Sequence, residues 1–286
     1  MSISIFKNKQ ILLIISFILL TRVGFAQHET DSINYYRLGL VSGVTVIGFY
    51  YGQAFNKNLW WKGEKSSFHF EWDYDWKYAL GSDKFGHFYF PYLSTKLYSQ
   101  ALEWSGLSEK KSLYYSALLA FSYQTFIEVK DGYSKQWGFS WGDFTANTFG
   151  ALYPILQYHN PILNNFSPKI SFHPSNRFKN GSHSVIIDDY ESTYDWLSIN
   201  IRELSGGVVK EYLPSFINLA IGHSVKNLDS PSGGNHEFFI GLDWNLEELP
   251  GNHPILKFLK KNLNYYRFPA PVVKIYPDVI WYGLKF

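Results

Sequence analysis

Six polar residues stand inside stretches that are otherwise apolar and helix-periodic. Asp83 and His87 are four apart at a helix start; Glu128 and Asp131, with Gln124, share a face near the end of a second stretch; Asp143 and Asn147 are four apart in a third. A charge buried without a partner costs several kcal/mol, so these faces must meet one another or line a wet cleft. Three kinds of chemistry fit. His87, oriented by Asp83, could act as a base with Glu128 or Asp131 as the acid. The carboxylates and the imidazole could hold a divalent cation. The group could equally be a hydrogen-bonded network that pins the register of three helices. No pattern names a cofactor or a particular metal.

A second motif invites a nucleophile. Gly138-Phe-Ser140-Trp-Gly142 matches the Gly-x-Ser-x-Gly elbow, which needs a strand before the serine and a helix after it. The residues from Lys130 to Trp137 read as a loop. Ser140 and Asp143 instead have the Ser-x-x-Asp spacing in which a hydroxyl caps a helix and an acid favours its positive end. The expectation is a cap.

Helical patterns that could position these groups run over 36–55, 84–104, 110–130 and 141–157, with Pro154 and Pro161 closing the helical part. The first carries two Gly-x-x-x-Gly spacings, Gly39 to Gly43 and Gly48 to Gly52. It reads either as a packed central helix approached on two faces or as a membrane helix. An aromatic loop from Leu59 to Tyr78, with Trp60, Trp61, Trp72 and Trp76, suits a membrane interface, a cleft rim or ordinary core packing. Beyond a polar loop at Ser167–Ser184 the period changes to two. Strands are expected at 184–188, 196–202, 238–246 and 279–286, interrupted by helical pieces near 214–227 and 254–263. The fold class is therefore α+β: a bundle of about four helices, residues 27–166, followed by a small antiparallel β-rich part, residues 167–286, packed on it. The last segment, Ile280 to Phe286, looks like the closing strand of an outer-membrane barrel. At most six candidate strands follow Pro168, too few for the eight such a barrel needs.

Lys7 and Lys9 precede an apolar run from Ile11 to Leu20 that closes on Gly24-Phe-Ala26, the three-part pattern of a signal peptide cut after Ala26. Export to the periplasm or outer membrane of a Gram-negative bacterium follows. The chain has 26 basic and 24 acidic residues, and Lys7, Lys9 and Arg22 lie in the leader, so the mature protein is close to neutral. That argues against a nucleic-acid binder. Phosphate-loop, dinucleotide and His-Glu-x-x-His patterns do not occur. Membrane or envelope lipids are the expected partners.

Asp83-Lys-x-x-His87, Glu128-Val-Lys-Asp131 and Ser140-Trp-Gly-Asp143-x-x-x-Asn147-x-x-Gly150 together resemble the YfiM-like family of uncharacterised periplasmic proteins. More distantly they are similar to the VanZ-like membrane family, with its related order of Asp-Lys, Glu and Asp-Asn motifs on consecutive helices. The resemblance covers about residues 80–155. It implies an envelope location and a helical core, and it brings no reaction. Some relatives are lipoproteins; this sequence has no cysteine to carry a lipid. The function expected is that of an exported, envelope-associated protein with a polar interhelical site. The alternatives are a hydrolase or transferase acting on a lipid or cell-wall precursor, and a structural outer-membrane component.

Overall fold

A computed structural model describes residues 32–286; the leader reading of residues 1–26 lies outside them. The described chain divides into two compact units, one formed by residues 32–70 together with 94–139, the other by 71–93 together with 140–286. In chain order, helix α1 spans Tyr35–Leu59, strand β1 Phe70–Glu71, α2 Ser82–Trp104, α3 Glu109–Asp131, β2 Phe139–Ser140 and α4 Trp141–His159. The chain then forms β3 (Phe166–Phe172), the short α5 (Asn176–Lys179), β4 (Thr193–Ile199), α6 (Ile201–Ser205), α7 (Gly207–Tyr212), β5 (Ile217–Lys226), β6 (Asn235–Trp244), α8 (Pro254–Leu263), β7 (Ala270–Tyr276) and β8 (Ile280–Lys285). The fold is α+β, with its long helices in the first half and an antiparallel six-stranded sheet in the second.

In the first unit, α1 opens on Asn34, whose side chain accepts from the Arg37 N–H. The Arg37 guanidinium donates to the Trp104 carbonyl and lies over that indole. Phe49 stacks on Tyr123 at 4.8 Å. The central-helix reading of α1 fails: of its 25 residues only Asn56 is buried. Gly39, Gly43 and Gly48 have no neighbour within 4 Å of where a side chain would begin, and Gly52 alone is approached, by the Tyr123 hydroxyl. On α3 the buried face mixes apolar and polar residues, with Leu113, Ala117, Ala120 and Ile127 inside. Ser112, Ser116 and Glu128 are buried, whereas Tyr115 and Leu118 are 56% and 61% exposed.

In the second unit the sheet is a meander, each strand paired with its sequence neighbour in the order β3-β4-β5-β6-β7-β8. Its inner face holds Tyr194, Trp196, Ala220, Phe239 and Val272. Gly222 is required there because the Trp196 ring occupies the place of a side chain. A second cluster joins Tyr89 and Tyr92 of the first half of α2 to Ile170 of β3, with Tyr153 and Tyr265 around them. The Tyr89 hydroxyl donates to the Tyr265 carbonyl at 2.7 Å, which fixes this part of α2 to the segment between α8 and β7; the same carbonyl accepts from the Ile170 N–H of β3.

Four expectations need correction. Helix α4 runs through Pro154 to His159, and Pro154 lies buried inside it instead of ending it. The polar loop at 167–184 is in its first part strand β3, with Pro168 tolerated because β3 is an edge strand. The helical piece at 214–227 is strand β5. The strand at 184–188 is a bend and a single helical turn, Ile186–Asp188. Strand β7 was not anticipated, whereas α8 has the expected limits.

Candidate functional site

The second unit gathers Asp75, Asp83, Lys84, His87, Asp143 and Asn147. Two elements deliver them. The chain turns sharply before α2, where Ala79, Leu80 and Gly81 all have positive φ (46°, 56° and 74°). Only glycine occupies this region without cost, so two of the three residues are held there against their preference. The turn brings Asp75 back beside the start of α2. Helix α4 supplies the other side. Ser140 caps it by accepting from the Asp143 N–H at 2.9 Å.

At the centre is the Lys84 ammonium, 2.9 Å from Asp75 Oδ1, 2.9 Å from Asp83 Oδ2 and 2.7 Å from Asp143 Oδ1. Lys84 is 7% exposed and Asp83 4%. Asp75 also accepts from the Ser140 hydroxyl at 2.5 Å and from the Gly142 N–H at 2.9 Å. A side chain at position 142 would strike Asp75 and Lys84, which explains the glycine. Trp76 lies 5.8 Å from the ammonium. His87 sits at the more open end: its Nδ1 is 3.2 Å from the Asn147 amide oxygen and its Nε2 3.7 Å from Asp143 Oδ1. An amide oxygen only accepts, so Nδ1 carries the proton in this contact. The orienting partner is Asn147, and Asp83, assigned that role from spacing, is held by Lys84 instead.

Three carboxylates share one ammonium, and the electrostatics follow from that ratio. Burial alone would lower the Lys84 pKa, but the Asp143 and Asp83 carboxylates beside it raise it above the ordinary range. Lys84 is therefore a fixed cation and not a base or nucleophile. Burial would likewise raise Asp75, yet the hydrogen bonds from Ser140, Lys84 and Gly142 hold it below the usual carboxylate range. Asp83 is pushed up to about 6, by burial and then by the Asp143 carboxylate, against the pull of Lys84. With regard to a divalent cation, the ammonium already stands at 2.7 Å from the Asp143 oxygen that would ligate it. A cation bound to the same oxygen would be repelled by the ammonium beside it, and within this unit the positive charge that faces the three carboxylates is that of Lys84.

Glu128 and Asp131 belong to the first unit, at the end of α3. Glu128 is 1% exposed. Asp131 accepts from the Trp61 indole N–H at 2.6 Å, so there it anchors the aromatic loop. Ser140 is the second residue of the two-residue strand β2, which the sequence did not suggest, but its backbone is ordinary (φ −93°, ψ 121°). Its hydroxyl is buried and committed to Asp75 and Asp143, so it is a cap and not a nucleophile elbow. Sequence reasoning missed Asp75 and left Lys84 without a role. The available signal was an unpaired lysine beside Asp83 at a helix start, where two further acids lay within reach.

Residues 71–159 match the family described as predicted periplasmic lipoprotein (DUF2279). Comparisons with curated proteins and with solved structures return no match. The matched stretch covers less than half of the chain and contains every residue of the polar cluster. The sequence has no cysteine, so the thiol that carries a lipoprotein's lipid is not among its residues. What the match supports is similarity to an uncharacterised periplasmic family and, with it, an exported protein.

Proposed function

We propose that the chain is a periplasm-facing protein of the Gram-negative envelope that engages a membrane through α1 and carries its functional site in the Lys84 cluster. The observation behind this reading is the state of α1. It is 25 residues long, apolar enough to cross a bilayer, and almost uncovered. At 1.5 Å per residue it measures about 37 Å, against about 30 Å for a hydrocarbon core. Val46, Ile47 and Tyr50 are 68%, 50% and 72% exposed. In water such a surface is a liability, and in lipid it is an anchor. Expression in a Gram-negative host followed by carbonate washing tests the reading. The chain is expected in the membrane pellet, and Val46→Arg with Ile47→Asp should release it. Recovery of the unmodified chain in the soluble periplasmic fraction would refute it, and a density gradient of the pellet assigns inner or outer membrane.

A second reading, a hydrolase or transferase acting on a lipid or cell-wall precursor, is favoured by one feature. The His87 side chain is 25% exposed, more than those of Lys84 and its three carboxylates, and its Nδ1 is fixed by Asn147, which leaves Nε2, 3.7 Å from Asp143 Oδ1, as the nitrogen that could act as a base. His87→Ala should leave the fold intact in either case, and only the enzyme loses turnover.

A further inference from the structure

Apart from the apolar cluster on its inner face, the six-stranded sheet of the second unit has its polarity reversed. Alternate residues of a strand face opposite sides, and the register fixes which residues lie side by side. Leu197, Ile221, Ile240, Val273 and Trp281 form one unbroken row across β4 to β8. Four of the five are 36–65% exposed. The opposite face holds most of the charges; Asp195, in register with His223 and Ile170 on the row's own side, is buried where Tyr89 and Tyr92 pack on Ile170. Lys169 and Asp243 pair at 2.7 Å with about 1% of either side chain exposed, and Lys274 pairs with Glu237 at 3.0 Å. Lys285, on that face too, donates to the Tyr194 hydroxyl. An antiparallel sheet in water shows the reverse, with its apolar face on the core and its polar face outward.

We infer that this outer face of the sheet contacts the hydrocarbon of a lipid bilayer. Protein interfaces normally carry a hydrogen bond for every 100–200 Å² or so, and no side chain of the row can make one except the Trp281 indole. Apolar-out and polar-in alternation is the pattern of strands that face lipid. The dimensions agree. On β6 the outward residues from Phe238 to Trp244 are all apolar, a band of about 20 Å at the usual rise per residue, close to the 25 Å or so of outer-membrane strands. The band stops at one end where His223 and His236 meet at 3.0 Å.

This inference rests on the membrane reading above, and its test separates the two. The sequence has no cysteine, so single-cysteine variants of the full chain can be labelled at one place with a polarity-sensitive fluorophore. Ile221→Cys and Ile240→Cys report on the row, Leu284→Cys on the exposed last strand, and Ser232→Cys on the turn between β5 and β6. Each is reconstituted in vesicles of phosphatidylethanolamine and phosphatidylglycerol. Labels at 221, 240 and 284 should shift to the blue, lose quenching by aqueous iodide and gain quenching by nitroxide lipids, while the label at 232 stays open to iodide. If the chain floats with the vesicles but 221 and 240 remain as open to iodide as 232, the sheet face is in water and the inference falls while the membrane reading stands. If the chain does not float, both fall. Labels already shielded without vesicles, in a concentration-dependent way, would place a second copy on the face and overturn the inference. Leu284, on an edge strand, keeps the test available should the two central variants fail to fold.

Discussion

Replacing Lys84 with methionine removes one ammonium and leaves Asp75, Asp83 and Asp143 around an apolar chain end. Those carboxylates stand 2.7–2.9 Å from the lost charge. Breaking a buried pair costs about 3–5 kcal/mol, and here one cation serves three anions, so the upper part of that range applies at neutral pH. The molecule has an escape, because a carboxyl can take a proton. Doing so at pH 7.5 costs about 1.4 kcal/mol for each unit above its unfolded pKa, so the penalty shrinks as the solution is acidified. From pH 7.5 to 5, each carboxyl that protonates should return about 3 kcal/mol. The assay is a pair of urea melts at the two pH values for the unmodified chain and Lys84→Met, in the same detergent. The expected result is a variant much weaker at pH 7.5 and substantially recovered at pH 5. A loss below about 1 kcal/mol at pH 7.5, or a loss that does not change with pH, would show that the ammonium does not hold the carboxylates together.

Three further outcomes follow from the same geometry. Asp83 is pushed up to about 6, above the ordinary carboxylate range, so its contribution is fully present below the unfolded pKa and is lost as pH rises through about 6; Asp83→Asn should remove that loss, making the variant the more stable protein above pH 6 in melts taken from pH 4 to 7. Asp75→Ala frees the Gly142 N–H and the Ser140 hydroxyl inside the protein and should cost about 2–3 kcal/mol by denaturant titration. Gly150→Ala puts a methyl group into the Phe88 carbonyl and should destabilise by about 1–3 kcal/mol, whereas Gly48→Ala, with open space around it, should gain up to about 1 kcal/mol from helix propensity; equal effects at the two glycines would contradict the packing described.

The helices were legible because apolar periodicity survives even where polar residues share the buried face, as on α3: α2, α3 and α4 start and stop within two residues of the expected limits. The strands were less so, and the reason is the sheet's polarity. Ser167, Lys169 and Ser171 are the inward positions of β3, and a search that assumes apolar residues inside reads them as a polar loop. Strand β5 suffered similarly, since Asn218, Ser224 and Lys226 break its apolar run. In the site, Asp83, His87, Asp143 and Asn147 were found from four-residue spacing, which detects neighbours on one helix face. Asp75 lies outside any helix and Lys84 is adjacent to Asp83, so neither could register in a test of that kind. The long lysine chain supplies the reach that spacing cannot show.

The meander order of the sheet bears on how the protein is made. Every strand from β4 onward finds its partner in the strand just before it, so each pairing closes a loop confined to neighbouring sequence and costs little chain entropy. Assembly can proceed from β3 toward β8 in the order in which an exported polypeptide emerges from a translocation pore. A chain halted after β6 would already have its first four strands in register. One halted before β3 would offer Tyr92 only the Tyr153 ring of α4, and the rest of the cluster around Tyr89 and Tyr92, Ile170 and Tyr265 included, would wait on chain still to come.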